Sequence, residues 1–249
     1  MQALLFLFLL TSVMAAPLDV AVPMCGNKDT QAQERHKRFV LEGAHWRRRS
    51  LTYNIYKYPT NPRTLKQISR KEIDKIISQA FSTWSSVAAI DFERMDKDSA
   101  DIQIGWETGD HGDDNPFDGV CTGCLFNIVA HGFYPNKGGD IHFDDADTFG
   151  RKNVKHSNTT DYNIDDLFET ATHEIGHVLG LKHSKVKEAF MWPYTHMEWQ
   201  TKHSLHQDDV DGVVELYGAR ENPYKGKMHQ DVCDVTGFDA AYSTNLGSF

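Results

Sequence analysis

His173-Glu174-Ile175-Gly176-His177-Val178-Leu179-Gly180-Leu181-Lys182-His183 places three histidines at spacings of four and six. On a helix, residues four apart share a face, so His173 and His177 can both reach one cation. Glu174 is offset around the helix and can address a water beside that cation. Gly180 can adopt the left-handed backbone that stops a helix and turns the chain, which lets His183 supply a third ligand from outside it. Three protein ligands leave a fourth position open, as in a catalytic zinc site. A zinc ion so held makes its bound water acidic and polarises a carbonyl, with Glu174 as general base.

Outward from this stretch the pattern is that of a mixed fold. Asp166–Leu181 reads as a helix. So does the region from Ile73, where Ile73, Ile76, Ile77, Ala80, Phe81, Trp84, Val87 and Ala88 form a 3.6-residue apolar stripe. A third helix is expected from about Gln207 to Leu216, stopped at Gly218. Leu51–Tyr56, Ile90–Met95, Asp101–Trp106, Asn127–Phe133 and Asp140–Phe143 read as strands. With no βαβα repeat, this predicts an α+β fold.

The 249 residues carry 26 Lys and Arg against 35 Asp and Glu. The acidic balance gives no support to nucleic-acid binding, which needs a basic stripe. Residues 101–147 hold nine Asp and one Glu against a single Lys, an excess equal to that of the whole chain, −9. So many carboxylates in one segment need cations nearby or must stay solvated. The apolar run Leu4–Leu10, followed by Ala15 and Ala16, reads as a signal peptide over residues 1–15. No later run is long enough to span a bilayer, so a secreted, extracellular protein is expected, with Asn158-Thr159-Thr160 as a glycosylation acceptor. Arg35-His36-Lys37-Arg38 has the form of a processing site with cleavage after Arg38, while Arg47-Arg48-Arg49 reads as a surface feature.

The sequence resembles the metzincin proteases and, within them, the matrix metalloproteinases. Besides the long histidine motif, Met191 in Ala189-Phe190-Met191-Trp192-Pro193 looks like the Met-turn beneath the zinc, and Ser184 after the third histidine is the matrix-metalloproteinase choice. The resemblance runs from about Pro23 to Gly218. It implies a twisted, mostly parallel five-stranded sheet with three helices over residues 39–218. It also implies a short pro-segment over 16–38 and a linker with a hemopexin-like remnant, expected to be disordered, over 219–249.

Pro23-Met24-Cys25-Gly26-Asn27-Lys28-Asp29 is similar to the family's cysteine switch, in which the thiolate takes the open zinc position of the zymogen. Met24 and Lys28 depart from that pattern, and without an Arg as partner for Asp29 a weaker latency is expected. A cysteine with no metal role is the alternative. By the same resemblance Phe39 becomes the mature N-terminus and its ammonium pairs with Asp208. His111, Asp113, His131 and His142 match a second, structural zinc. Asp118, Gly119, Asp144 and Asp147 resemble a calcium site. Asp101 and Asp140, with a carbonyl near Gly138, match a second, and Asp145 is assigned to a third. Two zinc and two to three calcium ions follow.

An apparent insertion carries Cys121-Thr122-Gly123-Cys124, read as a local disulfide in preference to a redox motif or zinc hook; the partner of Cys233 stays open. Asn127–Phe133 would be an edge strand on which an extended peptide adds by backbone hydrogen bonds, with Ala130 and Pro193 at the substrate. Glu169, one turn before His173, would give a polar floor to the pocket for the residue after the scissile bond. The expected partners are extended polypeptides of the extracellular matrix and protein inhibitors of metalloproteases, acting on a monomer. The rival to a zinc endopeptidase is a catalytically weak metal-binding interaction module.

Overall fold

The second helix shows how local chemistry places the core. Ser69 caps it reciprocally with Glu72: Ser69 N donates to Glu72 Oε2 at 2.7 Å and Glu72 N donates to Ser69 Oγ at 3.3 Å. From that start Arg70–Ser85 runs as α2, and its stripe of Ile73, Ile76, Ile77, Ala80, Phe81 and Trp84 is buried. Each large apolar side chain so removed from water stabilises by roughly 1.5–3 kcal/mol. Trp84 Nε1 donates to the Thr172 carbonyl at 2.9 Å and ties this helix to the next long one.

The computed structural model describes residues 22–27, 41–120, 126–151, 164–194 and 204–221. Among them the strands are β1 (Val22–Cys25), β2 (Ser50–Lys57), β3 (Asp91–Arg94), β4 (Ile102–Glu107), β5 (Phe126–Gly132), β6 (Ile141–Asp144), β7 (Phe149–Gly150) and β8 (Asp165–Asp166). The helices are α1 (Pro62–Gln67), α2, α3 (Leu167–Leu179) and α4 (Gln207–Tyr217), with a 3-10 turn at Pro135–Lys137. The main sheet has the order β1-β5-β6-β4-β2-β3, and β7 pairs with β8 alone. All pairings of the main sheet are parallel except β5 with β6. The fold is therefore the α+β arrangement expected, with a mainly parallel sheet and the three predicted helices. Besides the short β7–β8 pair and the 3-10 turn, two elements are additional. α1 starts at Asn61, whose side chain accepts from Arg63 N, and Pro62 stands in its first turn. β1 comes from the segment read as a pro-segment and lies on the outer edge of β5.

α3 is capped by Asp166, whose Oδ1 accepts from Phe168 N at 2.9 Å and Glu169 N at 3.1 Å. It ends at Gly180, with φ 103° and ψ 12°. There the chain reverses and Leu181 bridges Leu41. α4 packs behind, and Tyr217 Oη donates to the Leu179 carbonyl at 2.7 Å. No helix among the described residues is long and apolar enough to cross a membrane.

A Cβ added at Gly180 would stand 2.3 Å from the Ala44 carbonyl oxygen, on a backbone that L-residues rarely adopt. Gly180→Ala is expected to cost about 2 kcal/mol or more. The measurement is the urea midpoint, and an unchanged midpoint would show that this turn tolerates a side chain.

Candidate metal centre and substrate cleft

α3 and the turn after it bring the long motif to one point. His177 Nε2 lies 3.1 Å from His173 Nε2 and 3.3 Å from His183 Nε2, and Cys25 Sγ stands 3.4 Å from His177 Nε2. The four ligand atoms all fall within 4.8 Å of one another. Ligands bonded to one tetrahedral zinc at about 2.0–2.3 Å lie roughly 3.3–3.6 Å apart, so this donor set fits that ion.

The ring orientations agree. His173 Nδ1 donates to the Phe190 carbonyl at 2.6 Å and His177 Nδ1 to the Leu181 carbonyl at 2.7 Å, which leaves each Nε2 with its lone pair toward the common point. Burial, and then the neighbouring His183 and His173, hold His177 well below the usual imidazole range and keep it neutral. Glu174 is buried beside them, and the Cys25 thiol donates to its Oε2 at 3.6 Å. Burial pushes the Glu174 carboxyl up to about 8 against hydrogen bonds from Cys25 and the Gly132 backbone. A cation among the imidazoles would draw it back down.

Beneath the imidazoles, Met191 fits against Gly176 so closely that a Cβ there would meet its Sδ at 2.1 Å. Asp209 fixes this turn: its carboxylate accepts from Phe190 N at 2.8 Å, Met191 N at 3.0 Å and His206 N at 3.0 Å. The linkage runs from Asp209 through Phe190 to His173. Sequence reasoning took Asp208 and passed over Asp209. The signal was a carboxylate on the apolar face of α4, in line with Gly212, Val213 and Tyr217, all buried. Asp208 Oδ2 accepts from Ser184 Oγ at 2.6 Å, and its Oδ1 is buried without a partner.

The second set converges as closely. Asp113 Oδ2 is 2.7 Å from His111 Nε2, 2.8 Å from His131 Nε2 and 2.8 Å from His142 Nδ1. His142 Nδ1 is 3.2 Å from both other imidazoles. Burial opposes ionisation of Asp113, but hydrogen bonds from Asn115 N, His131 and His142 bring it to about 2. Burial lowers His131 to about 4 despite Asp113. One carboxylate and three imidazoles gathered at a common point are the donor set of a four-ligand zinc shell.

The remaining carboxylates do not converge in this way: among the described residues only these two groups of three or more ligand atoms come together. Asp118, Asp144 and Asp147 do act on one another. Burial, then Asp165, then Asp144 and Asp118 push Asp147 up to about 8, though Asn127 opposes. Asp147 Oδ2 is buried without a partner. Gly119 N donates to Asp144 Oδ2 at 3.1 Å. Asp101 and Asp145 are instead taken up by protein donors. Asp101 receives Arg48 together with Thr52 N and Oγ1. Asp145 receives Thr60 N and Oγ1 and Asn61 N. Asp140 Oδ1 accepts from Gln103 N at 3.0 Å, and Gly138 turns the chain before β6 with φ 108°.

The segment read as a pro-segment lies in the cleft between β5 and the chain after Met191. Cys25 N donates to the Pro193 carbonyl at 3.1 Å and Gly26 N to the Ala130 carbonyl at 2.8 Å. Asn27, which sequence reasoning did not single out, donates through Nδ2 to the Gly132 carbonyl at 2.7 Å and through N to Cys25 Sγ at 3.4 Å. Glu169 lines the adjoining cavity with Glu174, His173 and Pro193. Arg38, Phe39, Cys121, Cys124, Asn158 and Cys233, and the tail beyond residue 221, lie outside the described residues.

Comparison with known proteins agrees with this geometry. The matrixin family model matches residues 45–218. Human neutrophil collagenase is 37% identical over 226 residues, covering 88% of this chain and 43% of its own length. The macrophage metalloelastase of Rattus norvegicus is 36% identical over 223 residues, 87% of this chain and 43% of its own. Human matrix metalloproteinase-20 is 36% identical over 215 residues, 81% and 40%. The chain thus spans less than half the length of the curated relatives it matches.

Asp209→Ala would take the acceptor from three backbone N–H groups, those of Phe190 and Met191 buried. It is expected to lower stability by about 3 kcal/mol and weaken zinc binding about 10–100-fold. Denaturant unfolding and competition against a chromophoric chelator measure the two, and unchanged values in both would remove Asp209 from the support of the site.

Proposed function

The chain belongs to the matrixin family, and from that premise we propose that it is a secreted zinc-dependent endopeptidase held latent by Cys25. The observation that carries this reading is the convergence of His173, His177 and His183 through Nε2, with Glu174 buried beside them. A zinc ion bound there supplies Lewis acidity toward the scissile carbonyl and makes water acidic. Glu174 takes the proton from the attacking water as its oxygen adds to the carbonyl carbon. Glu174 then delivers that proton to the amide nitrogen as the C–N bond breaks, so that a carboxyl group and an amine leave without a covalent enzyme intermediate.

An extended substrate uses the backbone acceptors the pro-segment now occupies, Ala130 on β5 and Pro193 opposite. Latency then follows from strand addition and from Asn27, which compensates for the missing Arg at Met24. Cleavage after Arg38 frees a Phe39 ammonium for Asp208, whose buried Oδ1 awaits a donor. His111, Asp113, His131 and His142 hold a structural zinc. Asp118, Gly119, Asp144 and Asp147 hold calcium, which would supply the charge that Asp147 Oδ2 lacks. The relatives are named for collagen and elastin, and the proposed substrates are likewise extracellular matrix proteins, with protein inhibitors of metalloproteases as further partners.

The test is hydrolysis of a quenched fluorogenic peptide by the full chain after treatment with a thiol-modifying reagent. Glu174→Ala is expected to lower the rate about 10²–10⁴-fold while zinc content stays the same. Cys25→Ala is expected to be active without the reagent. Equal rates for wild type and Glu174→Ala would overturn the peptidase reading. Removing metal with a strong chelator should also speed amide hydrogen exchange across residues 101–147; exchange unaffected by chelation would argue against metals in that segment.

A further inference from the structure

One row of residues crosses four strands at the second set of converging imidazoles. Gly105 on β4 pairs with His142 on β6, and His142 pairs with His131 on β5. On its other side Gly105 pairs with Lys57 of β2, while Ile104 pairs with Ile55, so Tyr56 is an extra residue in that strand. A bulge of this kind re-aims a side chain. Here it lays the Tyr56 ring over Gly105, where an added Cβ would stand 2.3 Å from Tyr56 Cζ. The ring fills the place in the row that Gly105 leaves empty. It meets His142 edge-on, with ring centroids 6.5 Å apart and planes at 79°. Glu107, two residues beyond Gly105 and so on the same face of the sheet, fixes the far end of the ring. Tyr56 Oη donates to Glu107 Oε1 at 2.9 Å, and Lys57 Nζ donates to Glu107 Oε2 at 2.6 Å. Burial opposes ionisation of Glu107, but the bonds from Lys57 and Tyr56, the Lys57 charge and nearby His142 hold it below the usual carboxylate range. Of the three imidazoles, that of His142 is the most open to water: its side chain is 12% exposed, against 4% for His111 and 3% for His131. Tyr56 is itself exposed, so its ring covers the sheet surface and is not part of the core.

We propose that Tyr56 is a positioning residue for this second metal centre: its ring braces His142 in the ligating orientation and shields it from water and competing ligands. Nδ1 of His142 faces Asp113 and the other two imidazoles, so the rest of its ring is what a neighbour can hold. Gly105 lets the Tyr56 ring in, and Glu107 with Lys57 tethers its hydroxyl. An imidazole left free to rotate would exchange its place on the ion for water, which is the first step of metal loss. This rests on the reading of His111, Asp113, His131 and His142 as a structural zinc site, and it names a residue outside the ligand set that keeps the ion there.

The experiment measures the zinc content of the full chain and then follows zinc release to an excess of a chromophoric chelator. Ions leaving two different environments give two phases, and Cys25→Ala, which alters only the centre on α3, tells them apart. Tyr56→Ala is expected to quicken the phase of the second centre about tenfold and leave the other phase unchanged. Gly105→Ala, whose Cβ displaces the ring, should do the same, and combining it with Tyr56→Ala should add little. Tyr56→Phe keeps the ring and should stay within about threefold of wild type. A general loss of packing would instead quicken both phases together. With two zinc ions per chain, any of three results would overturn the proposal: unchanged release in Tyr56→Ala, equal acceleration of both phases, or Tyr56→Phe as fast as Tyr56→Ala. One zinc ion per chain in wild type would overturn the structural-zinc reading, and the proposal with it.

Discussion

Three imidazole nitrogens gathered within 4.8 Å of one another, two of their rings buried in α3, repel unless they share a cation. The surrounding fold serves to hold them there. Trp84 anchors α3 to α2, Gly180 turns the chain so that His183 returns, and the Phe190 and Leu181 carbonyls fix the two ring tautomers. Neutral imidazoles buried in this way are affordable because each Nδ1–H has an acceptor; an unmet donor at that depth would cost a few kcal/mol. Asp209 acts on the site through its hydrogen bonds to the Phe190 and Met191 backbone.

The β1 segment with Cys25 reaches the same point by a different kind of bonding. The resemblance led to an expectation of weak latency, since Met24 stands where an Arg would be and Lys28 where a Pro would be. The structure has the segment add to β5 as a parallel strand, with Gly26 approaching so near that a Cβ would meet Ile128 Cγ2 at 2.7 Å. Backbone pairing and the Asn27 amide hold this segment without an ion pair at Met24.

What was legible in the sequence was local or periodic. The stripe of α2, the paired histidines of α3 and the glycine after them follow from spacing alone, and the same spacing arguments gave five strands of the sheet. The structural set of His111, Asp113, His131 and His142 came from matching a family pattern; nothing in its irregular spacing over thirty-one residues announces convergence. β1 was missed because four residues with no alternation become a strand only when β5, about a hundred positions away, offers an edge. α1 was missed because it has no apolar stripe; its Asn61-Pro62 start was the available signal. Asp101 and Asp145 were assigned to calcium through the family resemblance; their hydrogen bonds from Thr52 and Thr60 arise from residues about fifty and eighty-five positions away, which no local pattern announces.

The pairing of β1 with β5 bears on more than access to the zinc site. β6 covers one side of β5, and β1 covers the other. An uncovered, extended edge is a template for any chain with unpaired backbone, including another copy of the same molecule. The strand that carries Cys25 fills that edge here, so a chain without it would present the row of donors and acceptors of β5 to any extended backbone. On the activation proposed above, release of that strand would change access to the metal site and the colloidal behaviour of the protein in one event.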